Sequence, residues 1–383
     1  MKIVIAPDSF KGSLSSLQVS KAIKKGLVKV FPEANFQIIP MADGGEGTMQ
    51  ALVTATGGQY FKEKVLDPLK RKTQARWGLL GDRKTAIIEI AQASGIQFVN
   101  SQTANPLRAT TYGSGQLIKA ALDQKVEKII IGLGGSATND AGVGMMQALG
   151  AKFFDQDGNE VEAIAANLNL VNKIDLTHLD PRLKTTEIIL ACDVSNPLIG
   201  KNGASYIFAP QKGADQEMIE ILDKNLTHFS TLVKKQLHKD YAQTPGAGAA
   251  GGLGYGLMVF ANAKKHSGIQ TVLKYTDFAS KVKDADLVLT GEGATDYQTQ
   301  FGKTPFGVAK LSKTVCPNCT VICLSGNIGS RINELYGKDK IDAIFTTESG
   351  AKDLQQAIHD SAADIEIVSE NIARLIESIK NKG

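Results

Sequence analysis

At 383 residues, with 43% hydrophobic and 21% charged side chains, the chain can bury two domain-sized cores and is neither disordered nor collagen-like. Its net charge of +4, from 43 basic and 39 acidic residues spread along the chain, excludes the basic stripe of a nucleic-acid binder and leaves a small anionic substrate open. Four cysteines, Cys192, Cys316, Cys319 and Cys323, are too few for a disulfide scaffold, and the Cys316–Cys319 pair lacks the partners that would complete a zinc site.

Residues 2–6 read as a strand whose apolar run stops at Pro7 and Asp8, too short for a secretory signal. Residues 15–30 read as a helix with Leu17, Ile23, Leu27 and Val30 on one face, ended by Pro32. A strand at 36–40 and a helix at 48–56, closed by Gly57-Gly58, complete a βαβα opening that argues for a parallel sheet. Strands at 60–66, 73–80 and 86–90 then follow too closely for intervening helices, so antiparallel or mixed pairing is expected. Alternation returns with strand 128–131, helix 140–149, strands 152–154 and 187–191, and helices 216–237 and 253–264. The uncharged stretch 241–263 is long enough to cross a bilayer, but Pro245 and six glycines mark it as a Gly-rich loop leading into a buried helix. The C-terminal part reads as strands 286–290, 320–324 and 341–345 with helices 306–312, 351–358 and 365–380. The expected fold class is α/β, in two α/β domains. One has a parallel Rossmann-like or flavodoxin-like sheet built from both chain ends, residues 1–65 plus 281–383; the other is an inserted mixed α/β domain, residues 66–280.

Six segments end a strand in small residues beside charged or hydroxyl side chains: 6–12, 40–48, 132–144, 191–198, 245–252 and 290–296. In a parallel α/β sheet ligands bind beyond the carboxyl ends of the strands, where glycine lets backbone N–H groups approach an anion and helix dipoles favour negative charge. Asp43, Glu46, Asp193, Glu292 and Asp296 lie in these turns and would repel a phosphate unless Mg²⁺ bridges them or a carboxylate takes up a proton. Glycine-cradled phosphate, acidic metal ligands and a cationic clamp make up the equipment of phosphoryl transfer.

Two other motifs fail. Gly302-Lys303-Thr304 has the tail of a P-loop, but Tyr297 stands where its first glycine is required. Gly132-x-Gly134-x-x-Ala137, with Asp155 about 20 residues on, resembles a dinucleotide fingerprint and makes an NAD(P)-dependent hydroxy-acid dehydrogenase the enzymatic competitor. Polar residues crowd that turn, however, and it does not open the sheet. A two-domain anion-binding protein without chemistry is the third class. None of the five histidines lies in a Gly-rich segment, which disfavours a Ser–His–Asp hydrolase or a His-ligated zinc enzyme and costs a kinase nothing.

The same segments carry a resemblance. APDSFKGSLS at 6–15, PMADGGEGT at 40–48, NPLRATTYGSG at 105–115 and IGLGGSATNDAGVGMMQALGAKF at 131–153 are similar to the bacterial type-1 glycerate kinase family. ACDVSNPLIGKNGAS at 191–205, PQKGA at 210–214, PGAGAAGGLGYGL at 245–257 and TGEGATDYQT at 290–299 follow in the family's order. The resemblance implies ATP-dependent phosphorylation of D-glycerate with Mg²⁺, the 2-phosphate being the usual product. From the absent secretory signal, the few cysteines and the spread charge, a cytoplasmic enzyme with small-molecule partners and no membrane or nucleic-acid partner is expected, a homo-oligomer being left open. One departure is Ala294, where the family often carries arginine; Lys303 is a candidate to supply that charge.

On this reading Arg108 is the forked cation for the glycerate carboxylate, with Asp8, Asn139 and Lys303 as further substrate contacts. Lys11 is the expected phosphate clamp, and Asp193 or Asp296 the base. Gly44, Gly45, Gly134, Gly135, Ser136, Gly291 and Gly293 would bind phosphate, and Asp43, Glu46 and Glu292 would hold Mg²⁺.

Overall fold

The computed structural model describes residues 1–381, which form two compact units. One comprises residues 1–43, 50–56 and the chain from 267 onward; the other comprises 44–49 and 57–266.

The first unit is built on a five-stranded sheet in the order Ala343–Thr346, Thr320–Ile328, Leu287–Thr295, Lys2–Ile5, Asn35–Ile38, parallel throughout. Numbered within the unit this is 2-1-3-4-5, the flavodoxin-like order. Ile3, Ile5, Leu287, Leu289, Ile322 and Leu324 form its apolar centre. Helix Ser16–Val28 starts in a capping box between Ser15 and Gln18 and packs against helix Leu354–Lys380. The approach is so close that a Cβ on Gly26 would stand 2.3 Å from the Glu366 carbonyl oxygen. The two helices expected at 351–358 and 365–380 run as one, because the intervening His-Asp-Ser-Ala-Ala-Asp contains no breaker and its Asp364 is buried against Ser349 and Lys352.

The second unit holds a mixed six-stranded sheet in the order Lys264–His266, Glu187–Ala191, Lys128–Gly132, Thr85–Glu89, Lys72–Leu79, Gln59–Leu66. The first four strands are parallel and the last two join antiparallel. Strand Gln59–Leu66 pairs along its whole length with Lys72–Leu79, so it belongs to this sheet, as does Lys264–His266. The chain therefore passes between units at 44, 50, 57 and 267, the last two standing where boundaries near 65 and 280 were expected. Lys152–Phe154 stands outside the sheet, paired with Lys173–Asp175. Helix Tyr112–Asp123 was not anticipated from its Gly-Ser-Gly start.

Helix Ala249–Ala261 is buried along nearly its full length, and among the described residues no helix is long and apolar enough to cross a membrane. Its glycines serve close packing. A Cβ on Gly251, at φ +68°, would stand 1.9 Å from the Thr138 carbonyl oxygen, while Ala141 N donates to the Gly251 carbonyl at 3.1 Å. The 245–252 segment thus supports the 132–144 turn from beneath. Gly251→Ala should cost roughly 1–3 kcal/mol through overpacking and left-handed strain. Urea unfolding would register this as a lower midpoint at constant slope; an unchanged midpoint would refute the packing role.

Candidate active site

In an open parallel sheet the ligand crevice lies at the strand tips where the order reverses. In the first unit that point falls between Lys2–Ile5 and Leu287–Thr295. Backbone pairing continues past the first strand, with Asp8 N donating to the Gly291 carbonyl at 2.8 Å, so Asp8 is carried to the sheet's upper edge. One Asp8 carboxylate oxygen accepts from Ser9 N at 2.6 Å, and the other accepts from the hydroxyl of Thr304, the buried first residue of helix Thr304–Val315. Burial, reinforced by the charge of Asp43, pushes the Asp8 carboxyl up to about 7. Lys11 is exposed beside it, with its backbone N 3.3 Å from where a Cβ on Gly293 would lie.

Glu292 accepts from Thr299 Oγ1 at 2.6 Å and faces Lys303 Nζ at 3.6 Å. Burial raises its pKa, with the Thr299 bond and Lys303 opposing and Asp43 adding to the rise. Lys303 Nζ also stands 3.4 Å from the Ala294 carbonyl oxygen, so an ammonium reaches the residue where the resemblance led one to expect a guanidinium. Asp296 caps the 3₁₀ turn Tyr297–Phe301, accepting from Gln298 N at 2.7 Å, while Thr299 Oγ1 accepts from Asp296 N. This unit therefore gathers Asp8, Lys11, Asp43, Gly291, Glu292, Gly293, Asp296 and Lys303 at neighbouring turns.

In the second unit two glycine turns touch through their backbones. A Cβ on Gly132 would lie 2.9 Å from the Gly44 carbonyl oxygen, and one on Gly134 would lie 3.2 Å from Gly45 Cα. Gly134 and Gly135 are exposed, whereas Ser136 to Asp140 turn inward and are buried. Asn139 donates to Ser205 Oγ at 3.1 Å. Asp140 accepts from Thr111 N and Oγ1, both at 2.8 Å, from Gly142 N at 3.1 Å and from Gly144 N at 3.3 Å, which fastens the segment bearing exposed Arg108 to this turn. Asp193 is exposed two residues beyond Ala191, which pairs in register with Gly132. Glu46 is exposed in the Gly44–Gly47 turn.

Four contributors escaped the sequence reading. Glu89, at the tip of Thr85–Glu89, accepts from Met49 N at 2.8 Å and so holds the Gly44–Thr48 turn; burial raises its pKa. Thr111, Thr304 and Lys212 act as hydrogen-bonding supports, and an isolated threonine or lysine in a sequence gives no sign of its partner. Asp155, where a dinucleotide fold would bind ribose, instead accepts from Asp157 N at 2.9 Å and Asn159 N at 2.8 Å in a turn beside the separate Lys152–Phe154 ribbon. That placement removes the acidic partner of the dinucleotide fingerprint.

Among the described residues no group of three or more His, Cys, Asp and Glu side chains could hold a metal ion by itself. Mg²⁺ ordinarily takes one or two carboxylates and completes its shell with phosphate oxygens and water, so Asp43 and Glu292 are a donor set that suits it. The charge of Asp43 raises the pKa of both Asp8 and Glu292, a repulsion that a divalent cation would relieve.

Comparison with known proteins shows likeness along the whole chain. The chain matches the glycerate kinase family over residues 3–377. It is 47% identical to a glycerate kinase of Bacillus subtilis (strain 168), with 99% of each chain covered. It is 46% identical to a glycerate 2-kinase of Escherichia coli (strain K12), over the whole of both chains. A crystal structure of a Salmonella typhimurium LT2 protein assigned as glycerate kinase 2 superposes with a TM-score of 0.89 at 43% identity, covering 100% of this chain and 99% of that one. The match spans both sheets and every one of the glycine-rich turns, and the chain belongs to the glycerate kinase family.

Proposed function

We propose that this chain transfers the γ-phosphoryl group of ATP to a hydroxyl of D-glycerate, giving 2-phosphoglycerate and ADP. The observation that carries the reading is the end-to-end likeness to glycerate kinases, one of them a glycerate 2-kinase. The geometry then suggests the division of labour.

Asp8 is our choice of base over Asp193 and Asp296. It sits at the switch point, is oriented by Ser9 and Thr304, and with a pKa of about 7 can take a proton at working pH. As it removes the hydroxyl proton, the substrate oxygen bonds to the γ-phosphorus and the bond to the β–γ bridging oxygen breaks, releasing ADP. Asp296 has its carboxylate engaged in capping, and Asp193 is a secondary candidate. In the first unit Lys11, Lys303 and the amides of Gly291 and Gly293 are assigned to phosphate, as in the second unit are the amides of Gly44, Gly45, Gly134 and Gly135, with Ser136 supporting its turn from within. Arg108 is assigned to the glycerate carboxylate, whereas Asn139, fully buried and donating to Ser205, is reassigned from substrate contact to support of its turn. Asp43 and Glu292 would hold Mg²⁺, which when bound would offset phosphate charge, while Glu46 lies in the other unit and is left out of this donor set. The free thiols of all four cysteines and the need for ATP go with a cytoplasmic location.

Phosphorus NMR of a mixture of the protein, ATP, Mg²⁺ and D-glycerate tests the reading. The expected result is ADP together with a phosphate monoester coupled to the C2 proton. A C3 ester would correct the regiochemistry. No ester, with NAD reduced by a hydroxy acid instead, would overturn the kinase assignment.

A further inference from the structure

Among the described residues Lys212 is the most deeply buried lysine, at 1% exposure. It ends the short turn Pro210–Lys212, and the next residue, Gly213 at φ +91°, is pressed against Ala104, which fixes where the side chain starts. From there the ammonium runs inward and donates to Ser136 Oγ at 2.8 Å and to the Thr138 carbonyl oxygen at 2.7 Å. Both acceptors are neutral. The carboxylate of Asp140 acts on the ammonium through space, but its oxygens already accept from Thr111, Gly142 and Gly144. A lysine amine without a carboxylate in direct contact thus lies under a turn whose outer face, Gly134 and Gly135, is open to solvent.

Burying an ammonium among dipoles is costly, and an apolar side chain of the same length would avoid that cost. Burial pushes the Lys212 pKa down to about 7, with Asp140 resisting, so the site holds its proton at a penalty that an anion on the far side of the turn would remove. Two further buried atoms in the same turn, Thr138 Oγ1 and Asn139 Oδ1, have no hydrogen-bond partner among the described residues. The turn is therefore built around an amine that, when protonated, no carboxylate in contact compensates.

We propose that Lys212 is a positioning residue for phosphate-chain binding: it sets the shape of the Gly134–Thr138 turn from inside and supplies the buried positive charge that a bound polyphosphate meets. It does not touch the reacting atoms. The inference rests on the kinase reading for the identity of the ligand, but it concerns a part of the protein that this reading leaves unassigned.

The test is Lys212→Met, which keeps length and apolar bulk and removes the charge. Calorimetric titration with ADP and, separately, with inorganic tripolyphosphate needs no turnover. Both affinities should fall about tenfold or more, KM for ATP should rise in proportion, and KM for glycerate should move less than twofold. Thermal stability should fall only modestly, because removing the buried charge offsets part of the cost of the two acceptors left unpaired. A purely structural lysine predicts otherwise, with stability largely lost and both affinities kept, and that result would overturn the proposal. If the variant does not fold, Lys212→Gln serves in its place, since its amide can still donate inside the turn; it should weaken tripolyphosphate binding severalfold, and an unchanged affinity would again overturn the proposal. Tripolyphosphate bound normally by Lys212→Met in a preparation that phosphorylates glycerate refutes this inference alone. Wild-type protein that binds neither probe refutes it together with the kinase reading.

Discussion

Asp8→Asn should lower kcat by about 10²-fold or more, the scale of a lost general base, while leaving the protein folded. Asparagine keeps the shape of the side chain; its carbonyl oxygen can accept from Ser9 N, and its N–H₂ can donate to Thr304 Oγ1 once that hydroxyl rotates to accept. It cannot accept a proton. In the wild-type protein kcat/KM for glycerate should rise with pH through about 7 as the Asp8 carboxyl ionises, and that acidic limb should vanish in the variant. The sign for stability runs the other way. A carboxyl whose folded pKa is raised favours the protonated form, so its contribution is full below about pH 4 and is lost as pH rises through 7. Asp8→Asn, neutral at all pH, should therefore be relatively more stable than wild type at pH 8 than at pH 4. Asp296→Asn is the paired control, since asparagine is as good an N-cap as aspartate. It should retain most activity. Full activity in Asp8→Asn combined with a 10²-fold loss in Asp296→Asn would move the base to Asp296.

Where periodicity or capping was strong, the sequence was a reliable guide to the fold. Glu187–Ala191 and Gln216–Leu237 have the bounds expected of them, the first because it is a short apolar run between charged and polar flanks, the second because Asp215 caps it and its apolar face repeats at helical spacing. Errors arose where tertiary contacts overrode local preference. The helix expected from 140 begins only at Val143, because the Asp140 carboxylate draws the Gly142 and Gly144 amides toward itself and Ala141 and Gly142 take positive φ. Tyr112–Asp123 forms despite Gly113 and Gly115, whose lack of a side chain lets the helix pass within 2.3 Å of where their Cβ would meet the Leu66 and Met145 carbonyls. In the site the glycines and acids at strand tips were legible because their residue types are unusual in those positions. The supports were not: Glu89, Thr111, Lys212 and Thr304 acquire their function only from partners distant in sequence.

Asp140→Ala should destabilise the second unit by about 3–5 kcal/mol, the range for removing one side of a buried charged network. Asp140 is fully buried, and its two oxygens accept four hydrogen bonds. Thr111 Oγ1 in turn accepts from Met145 N at 2.9 Å, so one carboxylate organises the starts of two helices, Tyr112–Asp123 and Val143–Ala148. Alanine would leave three amides and a hydroxyl without their acceptor in a space from which water is excluded, each at about 1–3 kcal/mol if it finds no substitute. Burial raises the Asp140 pKa, and the Thr111 and glycine donors pull it back, so the ionised form depends on those bonds as much as they depend on it. Asparagine would preserve one acceptor and turn an N–H₂ toward donors, so Asp140→Asn should fall between alanine and wild type. Hydrogen exchange at Thr111, Gly142, Gly144 and Met145 should accelerate in both variants, most in alanine, while amides of Leu287–Thr295 in the first unit keep their protection. Urea denaturation within about 0.5 kcal/mol of wild type for Asp140→Ala would mean that water or a rearranged turn replaces the carboxylate without loss, and the network would then have no claim to organise the two helices.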